Sequence, residues 1–75
     1  MATEATVTQT IVVNGERHSY SGQDVYGLLT SLGINPLRHG VAVAVNGEVV
    51  TRDKWKGRLL KPGDQVEVIH AVAGG

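Results

Sequence analysis

Val, Thr and Ile dominate residues 7–13, and the run predicts a β-strand with Ile11 and Val13 turned to a core. Asn14-Gly15 follows. That dipeptide favours a two-residue type I′ turn, so a return strand is expected over 16–20 and the first unit reads as a β-hairpin. The period then changes. Val25, Leu28, Leu29 and Leu32 recur at i, i+3, i+4 and i+7, one apolar helical stripe. Each such side chain, fully buried, contributes roughly 1.5–3 kcal/mol. Ser21-Gly22-Gln23-Asp24 ahead of it fits a capping-box variant, with Ser21 as N-cap and Asp24 three residues on. Such a cap is worth about 1 kcal/mol, and Asp24 itself reads as a capping residue. Gly33 is placed to end the helix in a Schellman-type stop, with Ile34 packing back, and Asn35-Pro36 prevents continuation. Gly27, inside the helix, costs up to about 1 kcal/mol against Ala; it either permits close approach to a sheet or is simply tolerated.

Alternation returns in Val41-Ala42-Val43-Ala44-Val45, with the valines on one face and the alanines on the other. Asn46-Gly47 predicts a second tight turn, and Glu48-Val49-Val50 begins the return. Residues 51–55 look like a capped single helical turn, and Lys61-Pro62-Gly63-Asp64 like another turn. A last strand is expected from Gln65 to about Ala71, with Val66 and Val68 inward. The order is thus β-β-α-β-β-β with a short helical turn before the last strand. One helix and four to five strands predict an α+β domain of two layers, the helix covering one face of a mixed sheet. The helix is long enough to act as a crossover, which lets the last strand pair in parallel with the first, in the middle of the sheet. Ala42, Ala44, Ile69 and Ala71 should then share the uncovered face, as a candidate partner patch.

Seventy-five residues make one small domain, 1–75, in which residues 1–6 are expected to be disordered. There is no cysteine, so disulfides, thiolate nucleophiles and thiolate metal sites are excluded. Seven Lys+Arg balance seven Asp+Glu. A non-specific nucleic-acid binder would carry a basic excess, so no nucleic-acid partner is expected. No apolar stretch approaches the roughly 20 residues of a membrane span, and the N-terminal residues lack the pattern of a signal peptide; a cytoplasmic protein without a membrane partner is expected. His18, His39 and His70 show no metal-ligand spacing, so no metal site is expected. Trp55, the one tryptophan, reads as core or edge packing rather than a ligand-stacking ring, and Arg52 and Arg58 as solvated side chains, either of which could meet an acidic partner surface. No Ser/His/Asp set, carboxylate pair or phosphate loop stands out, so catalysis by this chain alone is not expected.

The last residues carry the candidate chemistry. Gly74-Gly75 follows an apolar strand-like run. A terminal glycine offers one reactive group, its α-carboxylate. A glycine pair also threads a slot too narrow for a Cβ. Such a tail suits a protein whose C-terminus is another enzyme's substrate; residues 72–75 are expected to form a flexible tail.

The element order, with this tail, resembles the ubiquitin-like β-grasp fold and, more narrowly, the ThiS-type sulfur carriers of thiamin thiazole synthesis. The resemblance rests on Ile11-Val12-Val13-Asn14-Gly15, the Val25/Leu28/Leu29 helix, the hairpin around Asn46-Gly47, the Arg52-Asp53-Lys54-Trp55 turn, and Gly63-Asp64-Gln65-Val66-Glu67-Val68 running on to Gly75. It covers about residue 10 to the end. What it implies is a carrier, not an enzyme, with no bound cofactor. A ThiF-type, E1-like enzyme uses MgATP to adenylate the Gly75 carboxylate. Sulfur relayed from a cysteine desulfurase converts it to a thiocarboxylate, and a ThiG-type thiazole synthase takes that sulfur. Gly74, Ala73 and Val72 would thread into the partner enzymes.

Three other readings stand beside this one. The MoaD-type small subunits of molybdopterin synthase share fold, tail and chemistry, but tend to be longer and richer in phenylalanine, which this chain lacks. A protein modifier would be conjugated to lysine amines through Gly75. A TGS- or S4-like binding module would have no use for a free Gly-Gly terminus.

Overall fold

The computed structural model describes residues 9–70. Strands β1 (Thr10–Val13) and β2 (Glu16–Ser19) form the first hairpin, helix α1 spans Val25–Ser31, and β3 (Val41–Val45) and β4 (Glu48–Val50) form the second hairpin. A 3-10 turn, Arg52–Lys54, precedes the last strand, β5 (Gln65–His70). Both hairpins close as their Asn-Gly pairs predict: Asn14 and Asn46 take φ of 50° and 52°, and Gly15 and Gly47 follow at 83° and 85°, the signature of type I′ turns.

The five strands make one mixed sheet in the order β2-β1-β5-β3-β4. β5 enters between the hairpins, parallel to β1 through Val12↔Gln65 and Val13↔Val66. It runs antiparallel to β3, from Val45↔Val66 to Val41↔His70. The expected central parallel pair is therefore present, and α1 is the crossover that permits it. One sheet face buries Ile11, Val13, Val43, Val45, Val66 and Val68 against Val25, Leu28 and Leu29 of α1. Trp55 and Leu60, from the segment between β4 and β5, complete that core; Leu60 was not anticipated.

The helix starts one turn differently from the sequence reading. Asp24, not Ser21, is the N-cap: its Oδ1 accepts the Gly27 N–H at 2.7 Å. Ser21 instead donates its N–H to the Gln23 side chain at 2.7 Å. Gly27 has a local reason. A Cβ there would stand 3.2 Å from Asp24 Oδ1, so the glycine leaves room for the capping carboxylate and not for the sheet. At the other end the Schellman stop is complete: Gly33 N–H donates to Thr30 O at 3.0 Å and Ile34 N–H to Leu29 O at 2.9 Å. Thr51 precedes the 3-10 turn without the side-chain capping bond expected of it. The expected disorder of 1–6, the strand's extension to Ala71 and the tail 72–75 lie outside the described residues.

Candidate functional site

Among the described residues, none covers the face of the sheet opposite α1. Strand alternation and register decide what it shows. Ala42 pairs with Ile69 across β3 and β5, and Ala44 lies between Glu67 of β5 and Val49 of β4. Ile69, Ala42, Ala44 and Val49 therefore form one apolar stripe over three strands. Ile69 is 67% exposed and Val49 76%, so the stripe is solvent-facing rather than packed. Three of the four residues expected on this face are brought together; the fourth, Ala71, lies outside the described residues, as do Val72, Ala73, Gly74 and Gly75. Val49 was missed. Its signal was present in the two-residue Asn46-Gly47 turn, which sets Val45 against Glu48 and hence Val49 against Ala44.

β5 carries the chain toward the tail, and side chains from both hairpin turns hold it. The Asn14 carboxamide accepts the Val68 N–H at 2.8 Å and donates to the Val68 carbonyl at 3.0 Å. At the start of the strand Asn46 does the equivalent: its Oδ1 accepts the Gln65 N–H at 2.9 Å while its Nδ2 donates to Asp64 Oδ1 at 2.9 Å. Asp64 is buried, and its second oxygen accepts the Lys61 N–H at 2.8 Å. Burial pushes its carboxyl pKa up. The Lys61 N–H, the Asn46 amide and the nearby Arg58 and Lys61 charges outweigh that and hold it below the ordinary value.

The segment after β4 is tied down on the helix side. Trp55 is buried as expected and donates Nε1–H to Val50 O at 2.8 Å. Arg52 is not the freely solvated side chain expected. Its guanidinium donates to the carbonyls of Pro36 and Arg38 and lies 4.7 Å over the Trp55 ring, pinning the loop ahead of β3 to the 3-10 turn. Asp24 links the same segment to α1, since its Oδ2 accepts the Gly57 N–H at 3.0 Å. The Gly57 bond first, then the Gly27 bond, lower its pKa. Among the described residues no three His, Asp or Glu side chains gather as a metal site, and no helix is long and apolar enough to cross a membrane.

A family model described as the ThiS family matches residues 4–75. The chain belongs to the ThiS family. Its relatives include the sulfur carrier protein ThiS of Escherichia coli strain K12, 34% identical over 55 residues, a match covering 73% of this chain and 80% of that one. The thiazole synthase of Magnetococcus marinus is 41% identical over 66 residues, 87% of this chain; the match spans 20% of that longer protein. Among solved structures, the crystal structure of the thiamine biosynthesis protein ThiS from Geobacter metallireducens aligns with a TM-score of 0.69 at 32% identity, over 88% of this chain and 99% of that one. An NMR solution structure of a thiamine biosynthesis protein from the same organism aligns at 0.71 and 32% identity, over 88% and 87%. The ThiS resemblance and the β-grasp fold read from the sequence are both borne out. The ThiS match extends past His70 to residue 75, so the glycine tail falls within the family's own span.

Proposed function

We propose that this chain is a sulfur carrier for thiamin thiazole synthesis, a protein co-substrate rather than an enzyme. A ThiF-type enzyme transfers AMP from MgATP to the Gly75 carboxylate, releasing pyrophosphate. The step answers a chemical need: a carboxylate is a poor electrophile, and AMP is a good leaving group. The outer sulfur of a persulfide supplied through a cysteine desulfurase attacks the acyl adenylate and displaces AMP. A thiol such as free cysteine then cleaves the resulting acyl disulfide, leaving a thiocarboxylate and a disulfide. A ThiG-type thiazole synthase then takes the sulfur, and the carboxylate returns for another cycle. Gly74, Ala73 and Val72 enter the partner sites. Ala42, Ala44, Ile69 and Ala71, joined by Val49, supply the apolar surface on which a partner docks.

One observation carries this reading: the ThiS family match over residues 4–75, which takes in both the sheet and the Gly-Gly pair. The match to a thiazole synthase supports the ThiG-type destination over a molybdopterin one. The test is intact mass after incubation with a ThiF-type enzyme, MgATP, a desulfurase and cysteine. The expected result is a gain equal to one oxygen exchanged for sulfur, absent when Gly75 is deleted. An unchanged mass alongside a demonstrably active enzyme overturns it.

A further inference from the structure

Cations are unevenly placed in this neutral chain. Five of its seven Lys and Arg lie between residues 52 and 61, where the one acidic residue is Asp53. Among the described residues no Lys or Arg stands within salt-bridge distance of a carboxylate; the ion pair present is His18 with Glu16 at 3.8 Å. Asp53 is itself engaged by the Thr51 side chain, and Asp24 and Asp64 are turned to backbone N–H groups. Arg52 is committed to two carbonyls and the Trp55 ring. Lys54, Lys56, Arg58 and Lys61 remain, and the first three line one concave strip together with Asp53. Like charges this close repel one another, and among the described residues the carboxylates nearest them, Asp53, Asp24 and Asp64, act from beyond ion-pair distance.

The strip adjoins the apolar stripe of the open face. Along β4, the edge strand, runs a groove of ≈ 360 Å³ lined by Glu48, Val49, Val50, Thr51, Lys54 and Arg58, two cations to one carboxylate. Val49 belongs to both surfaces. An apolar centre of Ile69, Ala42, Ala44 and Val49 thus ends at a cationic rim on one side. Apolar centre and charged rim is the anatomy of a protein interface.

We propose that Lys54 and Arg58, with Lys56 beside them, receive an acidic patch on the adenylating enzyme. The inference rests on the carrier reading above and extends it to charge recognition. Rim charges of this kind act on encounter and partner choice more than on the chemical step. The rings argue against a single-stranded nucleic acid as the occupant. Such ligands stack on open aromatic faces, whereas Trp55 is buried and Lys56 covers Tyr26 at 4.7 Å.

The experiment is steady-state adenylation, read as pyrophosphate release by a ThiF-type enzyme with MgATP, as a function of salt. Wild type is compared with K54A/R58A and with R17A/R38A, a control of equal charge change placed outside the 52–61 cluster. K54A/R58A is expected to lower kcat/KM about tenfold at low ionic strength. Its kcat at saturation stays unchanged, its salt dependence is shallower, and the control matches wild type. Because Arg58 also donates to Leu59 O at 2.6 Å, K54A/K56A repeats the test if the first pair fails to fold. Equal kcat/KM and equal salt dependence for the rim and control pairs overturn the inference and leave the carrier reading standing. A wild-type chain that the active enzyme does not adenylate overturns both. An RNA oligonucleotide that binds wild type but not K54A/R58A, with adenylation kinetics unchanged, reassigns the rim and overturns it as well.

Discussion

The Asn14 side chain pairs with both backbone groups of Val68, 54 residues away in sequence. β1 ends at Val13 while β5 continues to His70, so this carboxamide takes the place of the next residue of a parallel ladder. It needs one donor and one acceptor at fixed positions. Asn14→Asp keeps the acceptor and sets a carboxylate oxygen against the Val68 carbonyl. We expect a loss of about 1–2 kcal/mol by denaturant titration, with faster amide exchange at Val68. Asn14→Gly, which retains the positive φ, should show the same exchange defect; unchanged protection in both would mean that the β3–β5 pairing alone holds the strand.

Arg52 closes the end of the sheet from which β5 leaves. Arg52→Lys retains the charge but loses the planar fork that reaches the Pro36 and Arg38 carbonyls together and stacks on Trp55. A destabilisation of about 1 kcal/mol is expected, with altered tryptophan fluorescence. Wild-type stability in the lysine variant would show that charge alone suffices.

Asp24 and Asp64 have folded pKa values below the ordinary 3.8. Between the folded and unfolded values the unfolded chain binds more protons. The stability these carboxylates add is therefore present above 3.8 and is lost as pH falls through the lowered values. Asp64→Asn should be less stable at neutral pH and lose less on acidification than wild type. Parallel stability curves for the two proteins in the acid range would remove Asp64 as a source of acid sensitivity.

Gly74→Ala should lower thiocarboxylate yield without changing the melting temperature. In the threading proposed above, a Cβ there would obstruct entry to the partner site and restrict backbone choice. Normal yield would contradict the steric argument.

Ala44→Asp places a charge in the middle of the open-face stripe, between Glu67 and Val49. It should raise the KM of the adenylating enzyme for the carrier while the isolated chain folds normally. An unaltered KM would remove this face from the docking surface.

What the sequence disclosed was what local chemistry determines. Both Asn-Gly turns, the Leu28/Leu29 stripe, the Gly33 stop and the inward valines of β3 and β5 each follow from a few adjacent residues. The alternation of Ala42 and Ala44 was enough to place them with Ile69. The cap was misassigned because Ser21 and Asp24 both have capping side chains, and the choice depends on Gly57, far along the chain, donating to Asp24. The clasp of Asn14 on Val68, the Asn46–Asp64 bond and the Arg52 clamp were not legible for the same reason. Each joins residues whose proximity exists only after the sheet has formed.

The placement of β5 has a temporal consequence. The two hairpins share no pairing with each other; each meets the other through β5. A nascent chain that has not yet exposed residues 65–70 holds two unconnected hairpins, and the stripe shared by Ile69, Ala42 and Ala44 does not exist. The docking proposed above therefore requires the closed sheet, because it is β5 that brings Ile69 beside Ala42.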